Sequence, residues 1–138
     1  MRGTTRYLPR DSQMHATPQA CYRIAVIEAD ELVRELLLRW LCDEGHDASD
    51  VADVSLLRGG TDFDVLIADV PSPREAAEPV RLLRSMHKGS IVLVSARLRG
   101  GIGRSRELAR QLGVGAMLPK PFTRQELLAV VNEAMRPT

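Results

Sequence analysis

The sequence has few cysteines and few aromatic residues. Its two cysteines, Cys21 and Cys42, do not form a Cys-x-x-Cys pair, and no histidine lies at a matching ligand spacing. This excludes a disulfide-stabilised scaffold and a zinc-finger type of domain. Two separate thiols are typical of a reducing compartment, so we predict a cytoplasmic location.

Long apolar segments and an excess of charge of one sign are also lacking. No segment approaches the roughly 20 apolar residues that span a bilayer, and the N-terminus has no apolar core of a secretory signal. The 19 basic and 18 acidic residues leave a formal net charge of +1. This balance argues against nucleic acid or a membrane surface as an obligatory partner.

The chain divides into a short tail and one domain. Residues 1–21 are polar, contain Pro9 and Pro18, and show no periodicity, which predicts a flexible tail. Residues 22–138 have the length of a single domain with one continuous core.

Within the domain, short apolar runs alternate five times with amphipathic segments. Three of the runs are nearly continuous in aliphatic residues, as is typical of strands buried on both faces. The alternation predicts an α/β fold in which a parallel sheet carries helices on both faces. The predicted strands are residues 23–27, 47–51, 64–68, 90–94 and 115–118.

Capping residues mark the ends of the amphipathic segments. Asp30 can cap the first helix and Gly45 can end it. Residues 72–75 have the pattern of a capping box, although Pro79 requires that their helix be kinked or begin later. The remaining predicted helices are a very short one around residues 55–58, one over residues 104–112 that ends at Gly113, and a last one that opens with a capping box at residues 123–126.

Polar residues follow four of the predicted strands. Glu28, Asp69 and Ser95 follow the first, third and fourth strands, and the fifth leads into Lys120. Because the carboxyl ends of parallel strands meet at one edge of the sheet, we expect these side chains to converge. The carboxylates could hold Mg²⁺ and supply a nucleophile, while the hydroxyl and the ammonium could contact phosphoryl oxygens. Each residue alone has a common structural role, but the ordered set predicts a phosphoryl site.

Residues 23–135 resemble the receiver domain of bacterial response regulators. The order and spacing of four motifs make the resemblance specific, and it implies a flavodoxin-like sheet with strand order 2-1-3-4-5. The motifs are residues 24–34, 64–70, 91–97 and 118–122.

The resemblance implies roles for individual residues. Asp69 corresponds to the phospho-acceptor, and Ser95 to the hydroxyl residue that closes on the phosphoryl group. Lys120 corresponds to the lysine of the family, whose bond to the following proline, here Pro121, is typically cis. The backbone carbonyl of Pro71 corresponds to a ligand of Mg²⁺.

The implied function is a response regulator in two-component phosphorelay signalling, which is a phospho-acceptor rather than a conventional enzyme. The implied partners are a histidine kinase or a histidine phosphotransfer protein. Since the sequence ends at Thr138, we expect the output protein to act in trans. The family also allows a homodimer.

Several positions depart from the family pattern. The family usually has two adjacent acids after the first strand, and Ala29 replaces the second of them. The departure predicts a weak or absent magnesium site that consists of Glu28, Asp69 and the Pro71 carbonyl, with Asp30 nearby. Met117 replaces the switch aromatic of the fifth strand. Residues 97–104 are longer and more basic than the corresponding family segment.

Two other interpretations compete with a phospho-acceptor. The missing acid and aromatic favour a phosphorylation-independent pseudo-receiver that serves as a protein-docking module. The strand at residues 92–95 and the glycines at 100, 101 and 103 imitate a dinucleotide-binding loop. That second interpretation fails, because no acid follows the next strand and too little chain remains for a catalytic domain. We therefore predict that the glycine-rich segment is a mobile loop.

Overall fold

The computed structural model describes residues 21–51, 63–99 and 101–136. The predicted N-terminal tail, except for Cys21, and the predicted short helix around residues 55–58 lie outside these ranges. None of the helices within them is long and apolar enough to cross a membrane.

A five-stranded parallel sheet forms the centre of the domain, and its strand order is 2-1-3-4-5, which confirms the predicted flavodoxin-like fold. The strands are β1 (Arg23–Ile27), β2 (Asp47–Asp50), β3 (Val65–Asp69), β4 (Ser90–Ser95) and β5 (Ala116–Pro119). The helices are α1 (Glu31–Asp43), α2 (Ala77–Met86), α3 (Gly101–Leu112) and α4 (Arg124–Met135), and a short 3₁₀ helix spans Pro73–Glu75.

The core consists of two apolar layers, one on each face of the sheet. Side chains alternate between the faces along each strand, so Leu66 of β3 packs in one layer and Ile67 in the other. Helices α2 and α3 cover the first layer, and α1 and α4 cover the second. The continuous apolar runs in the sequence therefore have a simple cause: both faces of the central strands are buried.

Most of the predicted helix ends are confirmed. The side chain of Asp30 accepts hydrogen bonds from two backbone N–H groups of the first turn of α1. Thr123 and Glu126 form the predicted capping box of α4. The chain leaves α1 and α3 through Gly45 and Gly113, whose φ angles of 98° and 75° are easily adopted only by glycine.

The predicted capping box at residues 72–75 is wrong. Ser72 precedes the 3₁₀ helix without capping it, and its hydroxyl donates instead to the carboxylate of Glu75. Helix α2 begins at Ala77, so Pro79 occupies the third helical position. The missing N–H of Pro79 costs no bond there, because the first four N–H groups of a helix have no intrahelical partner.

The glycine-rich segment after β4 also differs from the prediction. Helix α3 begins at Gly101, three residues before the expected start, and includes Gly103. These two glycines therefore belong to a helix and not to a loop, whereas Gly100 lies outside the described residues. The glycines suggested a loop because glycine disfavours the interior of a helix. They are tolerated here because they lie at the end of the helix, where glycine costs less.

We expect substitution of Gly89 by alanine to destabilise the domain by about 1–3 kcal/mol, the cost of forcing extra atoms into a packed site. A Cβ at Gly89 would lie 2.5 Å from the backbone oxygen of Asp64, at the pairing of β3 with β4. Gly103→Ala is the matched control, since its Cβ would meet no atom within 4 Å. Urea unfolding of both variants measures the difference, and equal stability of the two would contradict it.

Candidate functional site

The side chain of Lys120 joins two carboxylates at the carboxyl edge of the sheet. Its Nζ lies 2.8 Å from Oδ1 of Asp69 and 2.9 Å from Oε1 of Glu28. Asp69 ends β3, Glu28 follows the neighbouring β1, and Lys120 follows β5 at the far side of β4. The predicted convergence of these three residues is therefore present, and the Lys120–Pro121 peptide bond is cis as predicted.

The two carboxylates differ sharply in their exposure to solvent. The side chain of Glu28 is 2% exposed and that of Asp69 is 31% exposed. Oε2 of Glu28 accepts a hydrogen bond from the backbone N–H of Asp30, whereas Oε1 faces the ammonium of Lys120 and no other polar atom of the described residues. Glu28 is thus a buried counter-ion, and Asp69 is the carboxylate that a molecule in solution can reach.

The two carboxylates keep Lys120 protonated. Burial of the ammonium by itself lowers the pKa of Lys120, but its close contacts with the carboxylates of Asp69 and Glu28, and the negative charges of both, outweigh the effect of burial. The net effect raises the pKa of Lys120 above its usual value. A fixed positive charge therefore lies beside Asp69 at neutral pH.

Ser95 lies on the opposite side of Asp69 from Glu28 and is completely buried. Its hydroxyl donates to the backbone oxygen of Pro71 at 3.2 Å and accepts a hydrogen bond from the backbone N–H of Arg97 at 3.2 Å. Ser95 also accepts, through its carbonyl oxygen, a hydrogen bond from the N–H of Lys120. The hydroxyl is thereby bonded to the segments that follow β3 and β4, and not to Asp69.

Arg34 is a residue of this edge that the sequence did not indicate. One terminal nitrogen of its guanidinium donates to the backbone oxygen of Glu28 at 2.9 Å, and its Nε lies 3.6 Å from the carboxylate of Asp50. Arg34 thus holds the ends of β1 and β2 together beside the site. In the sequence, an arginine at this position of α1 is typical of a solvated helix face. Its role becomes visible only in the fold, where β1 and β2 are paired.

Comparisons with known proteins bear on this arrangement. No family model matches the chain. PetR of Rhodobacter capsulatus is 33% identical over 129 residues, which cover 89% of this chain and 51% of PetR. The transcriptional regulatory protein CpxR of Escherichia coli K12 is 28% identical over 121 residues, which cover 83% of this chain and 49% of CpxR. The chain spans about half the length of the curated relatives it matches.

Solved structures share the fold. The chemotaxis protein CheY4 of Vibrio cholerae superposes with a TM-score of 0.66 at 22% identity, over 83% of this chain and 99% of CheY4. The chain therefore has the fold of a CheY-like receiver domain. Receiver domains of this type act in two-component signalling as phospho-acceptors and not as conventional enzymes.

Receiver domains typically bind Mg²⁺. The receiver domain of the sensor histidine kinase PA1611 from Pseudomonas aeruginosa, for example, has magnesium coordinated in its cleft. It superposes on this receiver with a TM-score of 0.59 at 22% identity, over 84% of this chain and 98% of the PA1611 domain.

The residues of this receiver fit Mg²⁺ poorly. Its described residues contain no group of three or more acidic, histidine or cysteine side chains that could hold a metal. The carboxylate of Glu28 is engaged by Lys120 and by the N–H of Asp30, and that of Asp30 caps α1. Asp69 and the carbonyl of Pro71 remain, and the latter already accepts the hydroxyl of Ser95. An octahedral cation would find one available carboxylate, the lower limit of the one or two that usually hold Mg²⁺.

Proposed function

We propose that Asp69 of this receiver accepts a phosphoryl group and that the domain passes the signal to an output protein in trans. The observation that carries the proposal is the contact of 2.8 Å between Lys120 and the partly exposed carboxylate of Asp69. A positioned cation stabilises the charge that develops on the transferring phosphoryl group. The burial of Glu28 supports Asp69, and not Glu28, as the nucleophile.

The proposed reaction is a simple displacement at phosphorus. Lys120 holds Oδ1 of Asp69, so Oδ2 attacks and forms the new O–P bond. The bond from phosphorus to the donor breaks, and the donor leaves with the electron pair of that bond. The donor is the phosphohistidine of a histidine kinase or of a histidine phosphotransfer protein. The hydroxyl of Ser95 would leave the oxygen of Pro71 in order to reach the new phosphoryl group.

Asp69→Asn should abolish phosphorylation, because the amide of asparagine is not a nucleophile at phosphorus. Purified protein is incubated with acetyl phosphate and excess Mg²⁺, and the intact mass is measured. We expect the wild type to gain the mass of one phosphoryl group and the variant to gain none. Asp64→Asn is the control, since Asp64 precedes the other end of β3 and its carboxylate accepts the N–H of Arg23.

The second candidate is a docking module that works without phosphorylation. Two observations favour it: Ala29 stands where the family has an acid, and Lys120 is shared with the buried Glu28. If the wild type gains no mass with either acetyl phosphate or a panel of phosphorylated kinases, the phospho-acceptor proposal fails and the docking module is the better interpretation.

A further inference from the structure

A cleft lined by arginines lies at the same edge of the sheet as Asp69 but uses other residues. Its volume is about 510 Å³, within the usual range for small-molecule sites. Residues 72–75, which follow β3, form one wall, and residues 97–99, which follow β4, form another. The third wall consists of Arg104 and Leu108 of α3.

The cleft concentrates positive charge in a chain that is nearly neutral. Four of its lining residues are arginines and one is the glutamate Glu75, so the lining carries three net positive charges. The four guanidinium groups form no ion pair or hydrogen bond with any other described residue; they belong to Arg74, Arg97, Arg99 and Arg104. Six arginines elsewhere do lie within 3.9 Å of a carboxylate, namely Arg23, Arg34, Arg81, Arg106, Arg110 and Arg124.

We propose that this cleft binds a ligand with two or more adjacent phosphate groups, such as the phosphate chain of a nucleotide. A guanidinium group donates two parallel hydrogen bonds to a phosphate, and several such groups around one cleft suit closely spaced charges.

The apolar part of the lining suits an organic substituent on the phosphate chain. Leu98 is buried at 6% exposure and Leu108 is half-buried, and both border the cleft. The volume of the cleft suits a small molecule. Two sources share this chemistry: a nucleoside polyphosphate and inorganic polyphosphate.

The cleft is connected to the phosphoryl site through Arg97. Its side chain lines the cleft, while its backbone N–H donates to the hydroxyl of Ser95. A ligand that moves Arg97 would therefore change the hydrogen bond between its N–H and the hydroxyl of Ser95. The amide NMR resonance of Arg97 would report that change. A shift of the Arg97 amide resonance therefore tests where the ligand binds, which an affinity alone does not.

Calorimetry at low ionic strength without Mg²⁺, with ATP and tripolyphosphate as probes, tests the proposal. We expect the wild type to bind, and the double variant Arg97→Gln/Arg104→Gln to bind at least about tenfold more weakly, because two charge-assisted hydrogen-bond donors are lost. Arg39→Gln is the matched control, since Arg39 is an exposed arginine on α1 with no carboxylate partner among the described residues. Tighter binding of ATP would identify the nucleotide as the source, and equal binding would identify the phosphate chain alone.

Four results would overturn the proposal. The first is no binding of either probe at low ionic strength, and the second is an equal loss of affinity in the control. The third is a set of amide shifts centred on Asp69 and Lys120 in place of Arg97 and Arg104. Tighter binding of a polyglutamate peptide would also reject it in favour of an acidic protein segment. Asp69→Asn should bind both probes like the wild type, so the outcome does not depend on whether Asp69 is phosphorylated.

Discussion

Lys120→Met is expected to lower the free energy of unfolding by about 2–4 kcal/mol, because it leaves a buried carboxylate without its cation. The side chain of Glu28 is 2% exposed and its Oε1 has no other polar partner among the described residues. The side chain of Lys120 itself is 19% exposed, so the value lies somewhat below that of a completely buried pair. Urea unfolding at pH 7 measures the loss.

The chain offers a matched control for this prediction. Lys88 is its only other lysine, and it is exposed without an ion pair in the described part of the chain. Lys88→Met should therefore change stability by no more than about 0.5 kcal/mol. The double variant Glu28→Gln/Lys120→Met should recover much of the loss, because it removes the unpaired charge. A double variant as unstable as Lys120→Met alone would show that Glu28 is not the cause.

Ala29→Asp is expected to tighten Mg²⁺ binding by about tenfold or more, because it supplies a second carboxylate at the edge where only Asp69 is available. The same change should destabilise the metal-free protein by about 1 kcal/mol, a modest value because position 29 is exposed. Three carboxylates would then share the single cation of Lys120.

Titration of Mg²⁺ by calorimetry, together with urea unfolding without metal, tests both parts of this prediction. Ala29→Asn controls for the change in size and polarity without adding charge. If the wild type and Ala29→Asp bind Mg²⁺ equally well, Glu28 or Asp30 supplies the second carboxylate in the wild type, and our account of the site is wrong.

Patterns that act over a few residues predicted most of the fold. The apolar run of β3 indicated a strand buried on both faces, and Thr123 with Glu126 indicated the start of α4. The same kind of pattern failed at residues 72–75, where the hydroxyl of Ser72 contacts a side chain and not a backbone N–H. The capping-box pattern is therefore neither sufficient nor necessary for a helix start, since α2 begins later, at Ala77, without a side-chain cap.

The sequence by itself determined which residue types meet at the carboxyl edge of the sheet, because parallel strands deliver the residues that follow them to one place. Only the tertiary structure decided what each of them does. Depth of burial separates Glu28 from Asp69, although both carboxylates contact the same lysine. The arginine cleft likewise combines residues 72–75 with residues 97–108, two segments that are distant in the chain. Burial and charge density depend on distances between such segments, and no local pattern in a sequence records those distances.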